Sequence, residues 1–134
     1  MSSPIMRFAG YAALFGTPDA ARDTIHPGAF ARTLGERDTP LPLYWQHHPE
    51  QRIGWIERAE EDARGLRVVA RIDNPHSRAA NLLANRAVDG LSFGYRARAS
   101  RQEPSGRQLD EIDLFEVSLV THPLQDQARV IFIS

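Results

Sequence analysis

The chain has no cysteine among its 134 residues. This absence excludes disulfides, zinc sites with thiolate ligands and a cysteine nucleophile, and it fits a reducing cytoplasm. An excess of charge is also missing: the formal net charge of -1 gives no general attraction to nucleic acid or to an anionic membrane. Residues 1–7 lack the apolar core of a signal peptide, and no stretch approaches a membrane span. We therefore expect a soluble, unexported protein that binds neither nucleic acid nor membrane.

The length and composition are those of one folded domain. A chain of 134 residues can bury a moderate core, whereas two domains of half that size would each be thin. Hydrophobic residues make up 42% and charged residues 25%, which are ordinary shares for a folded protein. There is no internal repeat, low-complexity tract or interdomain linker. The prediction is a single domain over residues 1–134.

Short strands dominate the expected secondary structure. Alternating and apolar runs bounded by turn residues predict strands over 5–15, 41–47, 53–57, 65–72, 91–99, 112–121 and 129–133. Short helices are expected over 27–34, ended by Gly35, and from 74–78 to about residue 88. Pro49 is expected to end the strand before it, and the polar residues 98–107 to form a flexible hairpin loop. This mixture predicts an α+β, mainly β fold: a closed or nearly closed β-barrel surrounded by a few helices.

The central motif is the segment 90–95, in which Ser92 stands between Gly90 and Gly94 where a helical pattern gives way to an extended one. Two flanking glycines remove Cβ groups that would crowd a ligand, so the backbone can turn sharply and a substrate carbonyl can approach the hydroxyl. A nucleophilic serine is commonly presented in this way. The alternative is a small residue at a tight strand entrance.

A serine hydroxyl needs a base, and His47 is the best candidate. In the predicted strand 41–47, Leu43, Trp45 and His47 share one face. Because Trp45 is expected to be buried, the imidazole should lie at the edge of the interior. The alternative is a histidine at the edge of the core that bonds a carbonyl group.

Glu116 lies in the middle of an apolar strand, where a carboxylate is costly to bury without a cationic or hydrogen-bonding partner. If it meets His47 and Ser92, it can fix the imidazole tautomer and stabilise the imidazolium while the serine attacks a peptide carbonyl. Backbone N–H groups at Gly90 or Gly94, or the side chain of Arg96, would hold the oxyanion. The alternative for Glu116 is a structural ion pair with Arg96 or Arg129.

A second hydrolase arrangement is also open, because residues 90–94 fit the GxSxG nucleophile elbow. That fold would take its acid from Asp110, Asp113 or Glu116 and its base from His122. The elbow needs a strand followed by a helix, whereas here a helix precedes the serine and a strand follows.

A metal site is not indicated by the sequence. His47 and His48 would point to opposite faces of a strand, and no HxxxH or HExxH spacing occurs. The acidic run 60–65 is interpreted as a solvated loop, and His26 and His76 as surface or capping residues. We expect neither a metal nor an organic cofactor.

Several blocks in the same order resemble the prohead (capsid maturation) serine proteases of tailed phages, a family related in fold to the herpesvirus assemblins. The matching blocks cover most of the chain: 8–13, 25–30, 42–47 with 53–54, 65–66, 90–95, and 113–121 with Pro123. Two features depart from the pattern. His48 stands where an acidic or amide residue is expected, and the C-terminal extension that often tethers such proteases to scaffold is missing.

The resemblance implies a β-barrel ringed by helices, with the family's nucleophile on Ser92, its base on His47 and the third member on Glu116, where assemblins use a second histidine. It implies an endopeptidase that cleaves scaffold segments and the major capsid protein inside an assembling procapsid in the cytoplasm. The short C-terminus suits a trimmed mature form or a phage-like element such as a gene transfer agent. A related dimeric fold suggests a homodimer or higher self-association. The alternative function is a catalytically inactive capsid-assembly scaffold or interaction module with the same barrel.

Overall fold

The computed structural model describes residues 5–134; the predictions made for residues 1–4 lie outside this range. Eight strands are present in the described range, with two short helices. The strands are β1 (Met6–Leu14), β2 (Asp23–Ile25), β3 (Leu41–Trp45), β4 (His48–Glu61), β5 (Gly65–Ile72), β6 (Gly90–Glu103), β7 (Gly106–Val120) and β8 (Val130–Ile133). The helices are α1 (Ala31–Glu36) and α2 (Arg78–Ala84). Neither helix is long and apolar enough to cross a bilayer.

All eight described strands belong to one sheet in the order β2-β7-β3-β4-β5-β1-β8, with β6 paired to β7. β2 and β3 run parallel to β7 at its two ends, and β6 pairs antiparallel with β7 along nearly its whole length. The sheet curls until the start of β6 meets the start of β8, where Leu91 N–H donates to Ala128 O (2.9 Å) and Val130 N–H to Asp89 O (2.8 Å). The expected mainly β architecture with few helices is therefore confirmed.

The core lies inside the curl and is built from alternate residues of the strands. Along β5, every second side chain is buried, as expected for a strand with one face in the core. Burying such side chains contributes about 1.5–3 kcal/mol each before the entropy of ordering is counted. The fully buried aliphatic residues include Leu43, Leu66, Val68, Ile72, Leu83, Leu91, Leu114 and Leu119.

Both helices are shorter than predicted. α1 begins only after residue 30, because the preceding segment forms a turn with Gly28 at φ +94°. The Glu61 carboxylate holds this turn by accepting the N–H groups of Gly28 and Phe30 (both 2.8 Å). Gly35, which was expected to end the helix, lies within it. α2 has the expected start, where the Ser77 hydroxyl accepts the Ala80 N–H (3.1 Å). It ends at Ala84, because the backbone reaches the left-handed region at Arg86 (φ +59°).

The segment 98–107, expected to be a flexible loop, instead continues β6 and β7 as a two-stranded ribbon. The ladder reaches the pair Glu103 and Gly106, so that only a tight turn joins the strands. Exposed polar side chains stabilise the ribbon across the strands, as between the Arg101 guanidinium and the Asp110 carboxylate (2.8 Å). Their polarity reflects exposure on both faces and does not indicate a loop. This prediction was wrong.

Candidate functional site

His47 lies in a tight turn between β3 and β4, so the predicted strand 41–47 stops two residues early. Gln46 and His47 both have positive φ angles, +54° and +62°. Positive φ at both central positions is the pattern of a two-residue type I′ hairpin, and the left-handed region costs a non-glycine residue about 1–2 kcal/mol. The prediction that His47 shares a strand face with Trp45 was therefore wrong, because the chain reverses at this point. Pro49 does not end a strand either, since it lies within β4.

Contacts with β7 hold this strained turn. Gln46 donates its backbone N–H to Leu119 O (3.0 Å), and its side-chain amide both donates to Thr121 Oγ1 (2.6 Å) and accepts the Thr121 N–H (3.0 Å). The His47 N–H donates to the buried hydroxyl of Ser118 (3.1 Å). These contacts follow from the parallel pairing of β3 with residues 117–119 of β7. The position of the imidazole is therefore fixed by β7.

The turn brings His47 into contact with Glu116. Nδ1 of the imidazole lies 2.6 Å from Oε1 of the carboxylate, and the side chains are 40% and 10% exposed. An ionised carboxylate only accepts hydrogen bonds, so the bonding pattern assigns the proton to Nδ1 and leaves Nε2 free. A histidine oriented in this way can accept a proton at Nε2 while the carboxylate stabilises the resulting charge.

Glycine at position 94 makes room for that carboxylate. Gly94 lies opposite Glu116 in the β6–β7 ladder, and a Cβ built on it would lie 2.5 Å from Glu116 Oε1. A Cβ on Gly90 would lie 2.7 Å from Val120 O and 2.8 Å from Pro123 Cδ. β6 runs through both glycines as a strand, so the expected sharp turn is absent. The two glycines accommodate groups of the chain itself; their role toward an oxyanion stays a prediction.

Ser92 lies opposite Ser118, on the neighbouring strand of the ladder. Side chains at directly opposed positions share a face and have Cβ atoms about 4.5–5.5 Å apart. Ser92 is only 2% exposed, and its hydroxyl has no hydrogen-bond partner among the described residues. The structure thus joins His47 to Glu116 and places Ser92 beside Ser118, without a hydrogen bond from Ser92 to the imidazole.

The proposed ionic partners of Glu116 are engaged elsewhere. Arg96 contacts Asp113 (2.9 Å) and Arg129 contacts Asp89 (3.0 Å). The Arg32 guanidinium, followed by that of Arg96, lowers the pKa of the Asp113 carboxyl to about 2. The alternative in which Glu116 pairs with either arginine is therefore not what the structure contains.

The elbow arrangement has no structural basis here. Ser92 is the third residue of a long strand, whereas a nucleophile elbow places its serine on a sharp turn between a strand and a helix. Asp110, one of its candidate acids, forms an ion pair with Arg101. Within residues 5–134 no group of three histidine or acidic residues could hold a metal ion.

Sequence reasoning missed Gln46 and Ser118 as parts of the site. Ser118 follows Glu116 by two positions in a strand, so the period of two already placed the hydroxyl on the face of the carboxylate. That signal could have identified Ser118. Nothing comparable marks Gln46, because its contacts depend on a turn in which it adopts a positive φ, which is uncommon for residues other than glycine.

Comparison with phage proteins gives two relatives. The chain is 32% identical over 130 residues to the prohead protease of Enterobacteria phage HK97, a match that covers 92% of this chain and 58% of that protein. It is 26% identical over 125 residues to the capsid polyprotein of Pseudomonas phage PAJU2, covering 85% and 18%. The chain therefore spans little more than half the length of the HK97 relative and a small part of the other.

Solved structures support the same fold at low sequence identity. The protease of KSHV, the Kaposi's sarcoma-associated herpesvirus, superposes with a TM-score of 0.65 at 16% identity, covering 97% of this chain and 65% of that one. The bacteriophage T4 capsid assembly protease gives a TM-score of 0.65 at 12% identity, covering 85% and 80%. These matches establish the shared mainly β fold and nothing about activity.

A family model assigns the chain directly. The model described as caudovirus prohead serine protease matches residues 2–134, which is nearly the whole sequence. The resemblance inferred from the ordered sequence blocks is thereby confirmed. The chain belongs to the caudovirus prohead serine protease family.

Proposed function

We propose that this chain is a serine endopeptidase that cleaves scaffold segments, the major capsid protein or both during maturation of a phage or phage-like head. The observation that carries the proposal is the 2.6 Å contact from His47 Nδ1 to Glu116 Oε1, which leaves Nε2 available to take a proton. Glu116 in turn lies directly across the ladder from Gly94, two residues along β6 from Ser92. The site would consist of His47, Ser92 and Glu116 in a single domain over residues 1–134.

In the proposed reaction, Ser92 Oγ attacks the carbonyl carbon of the scissile peptide while His47 Nε2 takes the hydroxyl proton. Collapse of the tetrahedral intermediate breaks the C–N bond, and the imidazolium gives its proton to the leaving amine. Water then attacks the acyl-enzyme with His47 again as base, releasing the acid and restoring the hydroxyl. Throughout, the Glu116 carboxylate stabilises the imidazolium.

One step of this mechanism requires a rearrangement. The Ser92 hydroxyl has no hydrogen-bond partner in the described structure, so its bond to Nε2 must form when substrate binds. Hydrogen bonds of this kind are often long or unformed without substrate. Backbone N–H groups of Gly90 or Gly94 and the side chain of Arg96 stay candidates for the oxyanion, although Arg96 is bound to Asp113 here.

The relatives support the proposed partners and location. The HK97 relative is a prohead protease and the PAJU2 relative a capsid polyprotein, which supports capsid components as substrates and action inside an assembling procapsid in the cytoplasm. Compounds that disrupt a dimer are described for the KSHV protease, which supports self-association here. The head that the protein matures would belong to a phage or to a phage-like element such as a gene transfer agent.

The unbonded Ser92 hydroxyl favours a second candidate, an inactive capsid-assembly module with the same barrel. The two are separated by co-expressing the chain with its cognate capsid protein and measuring the capsid protein's mass. The protease proposal expects a shortened capsid chain that disappears with Ser92→Ala and with His47→Ala. His122→Ala is the matched control and should cleave normally, because His122 is a base only in the rejected elbow arrangement. Unchanged cleavage with Ser92→Ala would sink the proposed mechanism.

A further inference from the structure

Ser118 occupies the position between the turn that carries His47 and the carboxylate of Glu116. Its side chain is fully buried, with 0% exposure. The hydroxyl donates to Glu116 Oε2 (2.7 Å) and accepts the backbone N–H of His47 (3.1 Å). The Ser118 hydroxyl therefore contacts both His47 and Glu116. It uses the backbone N–H of His47 and Oε2 of Glu116, whereas the bond between His47 and Glu116 uses Nδ1 and Oε1.

The two bonds restrain different freedoms. Glu116 has two carboxylate oxygens, and the bond from Ser118 holds one of them so that the other faces Nδ1 of His47. The bond to the His47 N–H holds the backbone of a residue at φ +62°, in the left-handed region. A non-glycine residue stays in that region when the surrounding contacts over-determine it.

We infer that Ser118 is a positioning residue: its hydroxyl fixes the turn at His47 and the orientation of Glu116 together, and thereby selects the imidazole tautomer with its proton on Nδ1. The inference rests on the proposed function for its catalytic consequence. The prediction about the His47 tautomer does not depend on any substrate and can be tested without one.

Ser118 has no place among the reacting atoms. Its hydroxyl is occupied by two partners, whereas the hydroxyl of Ser92, directly across the ladder, has none. Because the Ser118 hydroxyl donates its proton in a hydrogen bond to Glu116, it cannot transfer that proton to His47 Nε2 without first breaking this bond. In this proposal the two serines have different roles: Ser92 is the nucleophile, and Ser118 positions His47 and Glu116.

The direct test is the tautomer of His47 in Ser118→Ala, read from the ¹⁵N shifts of the imidazole nitrogens in histidine-labelled protein. The His47→Ala spectrum assigns the resonances among the five histidines. The wild-type protein should hold the Nδ1–H form at neutral imidazole, and Ser118→Ala should shift toward a mixture with the Nε2–H form. Ser118→Thr keeps the hydroxyl and should restore the Nδ1–H form.

Thr33→Val is the matched control, because the Thr33 hydroxyl also accepts a buried backbone N–H of β7, that of Leu114 (3.0 Å). It removes a comparable bond away from His47 and should leave the tautomer unchanged. If Ser118→Ala does not fold, Ser118→Cys replaces it, since it has nearly the same volume and a much weaker donor. A wild-type tautomer in the folded Ser118 variant overturns the inference, as does an Nε2–H tautomer in the wild-type protein.

The catalytic consequence has its own readout. With a capsid-derived peptide substrate, Ser118→Ala should lower kcat by about tenfold to a hundredfold, the loss that slight misplacement of a catalytic group causes. KM should stay within about twofold, because Ser118 touches no substrate. Full activity in Ser118→Ala alongside an inactive Ser92→Ala rejects the positioning role and leaves the protease proposal intact. Persisting cleavage in Ser92→Ala rejects the protease mechanism, while the tautomer result stands by itself.

Discussion

Two buried carboxylates, Glu116 and Asp23, are almost equally hidden and do different things. Glu116 is 7% exposed and Asp23 6%. Asp23 receives two bonds from the Arg107 guanidinium (3.0 and 2.9 Å) and one from the Tyr95 hydroxyl (2.6 Å). Glu116 receives one bond from an imidazole and one from the Ser118 hydroxyl.

The difference lies in the partner's chemistry. Arginine is always protonated, so its two-pronged bond to Asp23 is a permanent structural link. An imidazole can gain and lose a proton, so the contact with Glu116 can strengthen when His47 accepts a proton in the proposed reaction. Burial alone would not tell the two sites apart; the capacity of the partner to gain and lose a proton does.

Glu116→Gln tests this comparison most severely. The amide keeps the shape but cannot stabilise an imidazolium, and it can donate to Nδ1 and select the wrong tautomer. We expect kcat/KM for capsid peptide to fall by roughly 10³–10⁴-fold, the scale seen for the equivalent change in a well-studied serine protease. Peptide hydrolysis followed by mass spectrometry measures this effect. Activity within tenfold of wild type would show that Glu116 is a structural carboxylate like Asp23.

Gly94→Ala should disturb the same carboxylate from the opposite strand. The new Cβ would lie 2.5 Å from Glu116 Oε1, the oxygen that contacts His47, so this oxygen must shift and its bond to the imidazole is disturbed. We expect cleavage to slow by up to about 100-fold, the scale of loss that misplacement of a catalytic group causes. Gly35→Ala is the matched control. Apart from its chain neighbours and its own helix backbone, no described atom lies within 4 Å of the added Cβ. Alanine in the helix should raise the free energy of unfolding by about 0.5–1 kcal/mol. Equal activity in the two variants would argue against this steric coupling.

Asp23→Asn should act on stability and not on the reaction. It leaves the Arg107 guanidinium with a weaker partner, and urea unfolding should report a loss of about 2 kcal/mol, less than for a fully buried pair because Arg107 is 39% exposed. Asp110→Asn, at the exposed pair with Arg101, should lower the free energy of unfolding by less than Asp23→Asn does. A loss of cleavage without a loss of stability in Asp23→Asn would contradict the division of roles.

The smallest expected effect is a pH dependence of the Asp23 contribution. The Arg107 hydrogen bond, followed by that of Tyr95, lowers the pKa of the Asp23 carboxyl below its ordinary value of 3.8. The stabilisation is therefore complete above the unfolded pKa and is lost as the pH falls through the folded one. The stability difference between wild type and Asp23→Asn should shrink as the pH is lowered from 5 toward 3, measured by urea unfolding. A constant difference over that range would show that the charge on Asp23 is not responsible.

The sequence anticipated the contact between His47 and Glu116 better than it anticipated the backbone around them. Glu116 was identified because a carboxylate in an apolar strand needs a partner, and the structure supplies His47. The strand around His47 was misjudged, because no local signal marks a tight turn at Gln46 and His47. The contacts that stabilise their positive φ angles come from β7 and from Thr121 directly after it, more than 70 residues away along the chain.

The sequence by itself determined the mainly β architecture, the family, and the residue types that a serine peptidase needs, because apolar alternation and ordered motifs are local properties. Only the tertiary structure decided which partner each group has. In the folded chain Glu116 contacts His47, Arg96 pairs with Asp113 and Arg129 pairs with Asp89. Pairing depends on sheet register and on contacts between distant strands, and no window along one chain contains that information.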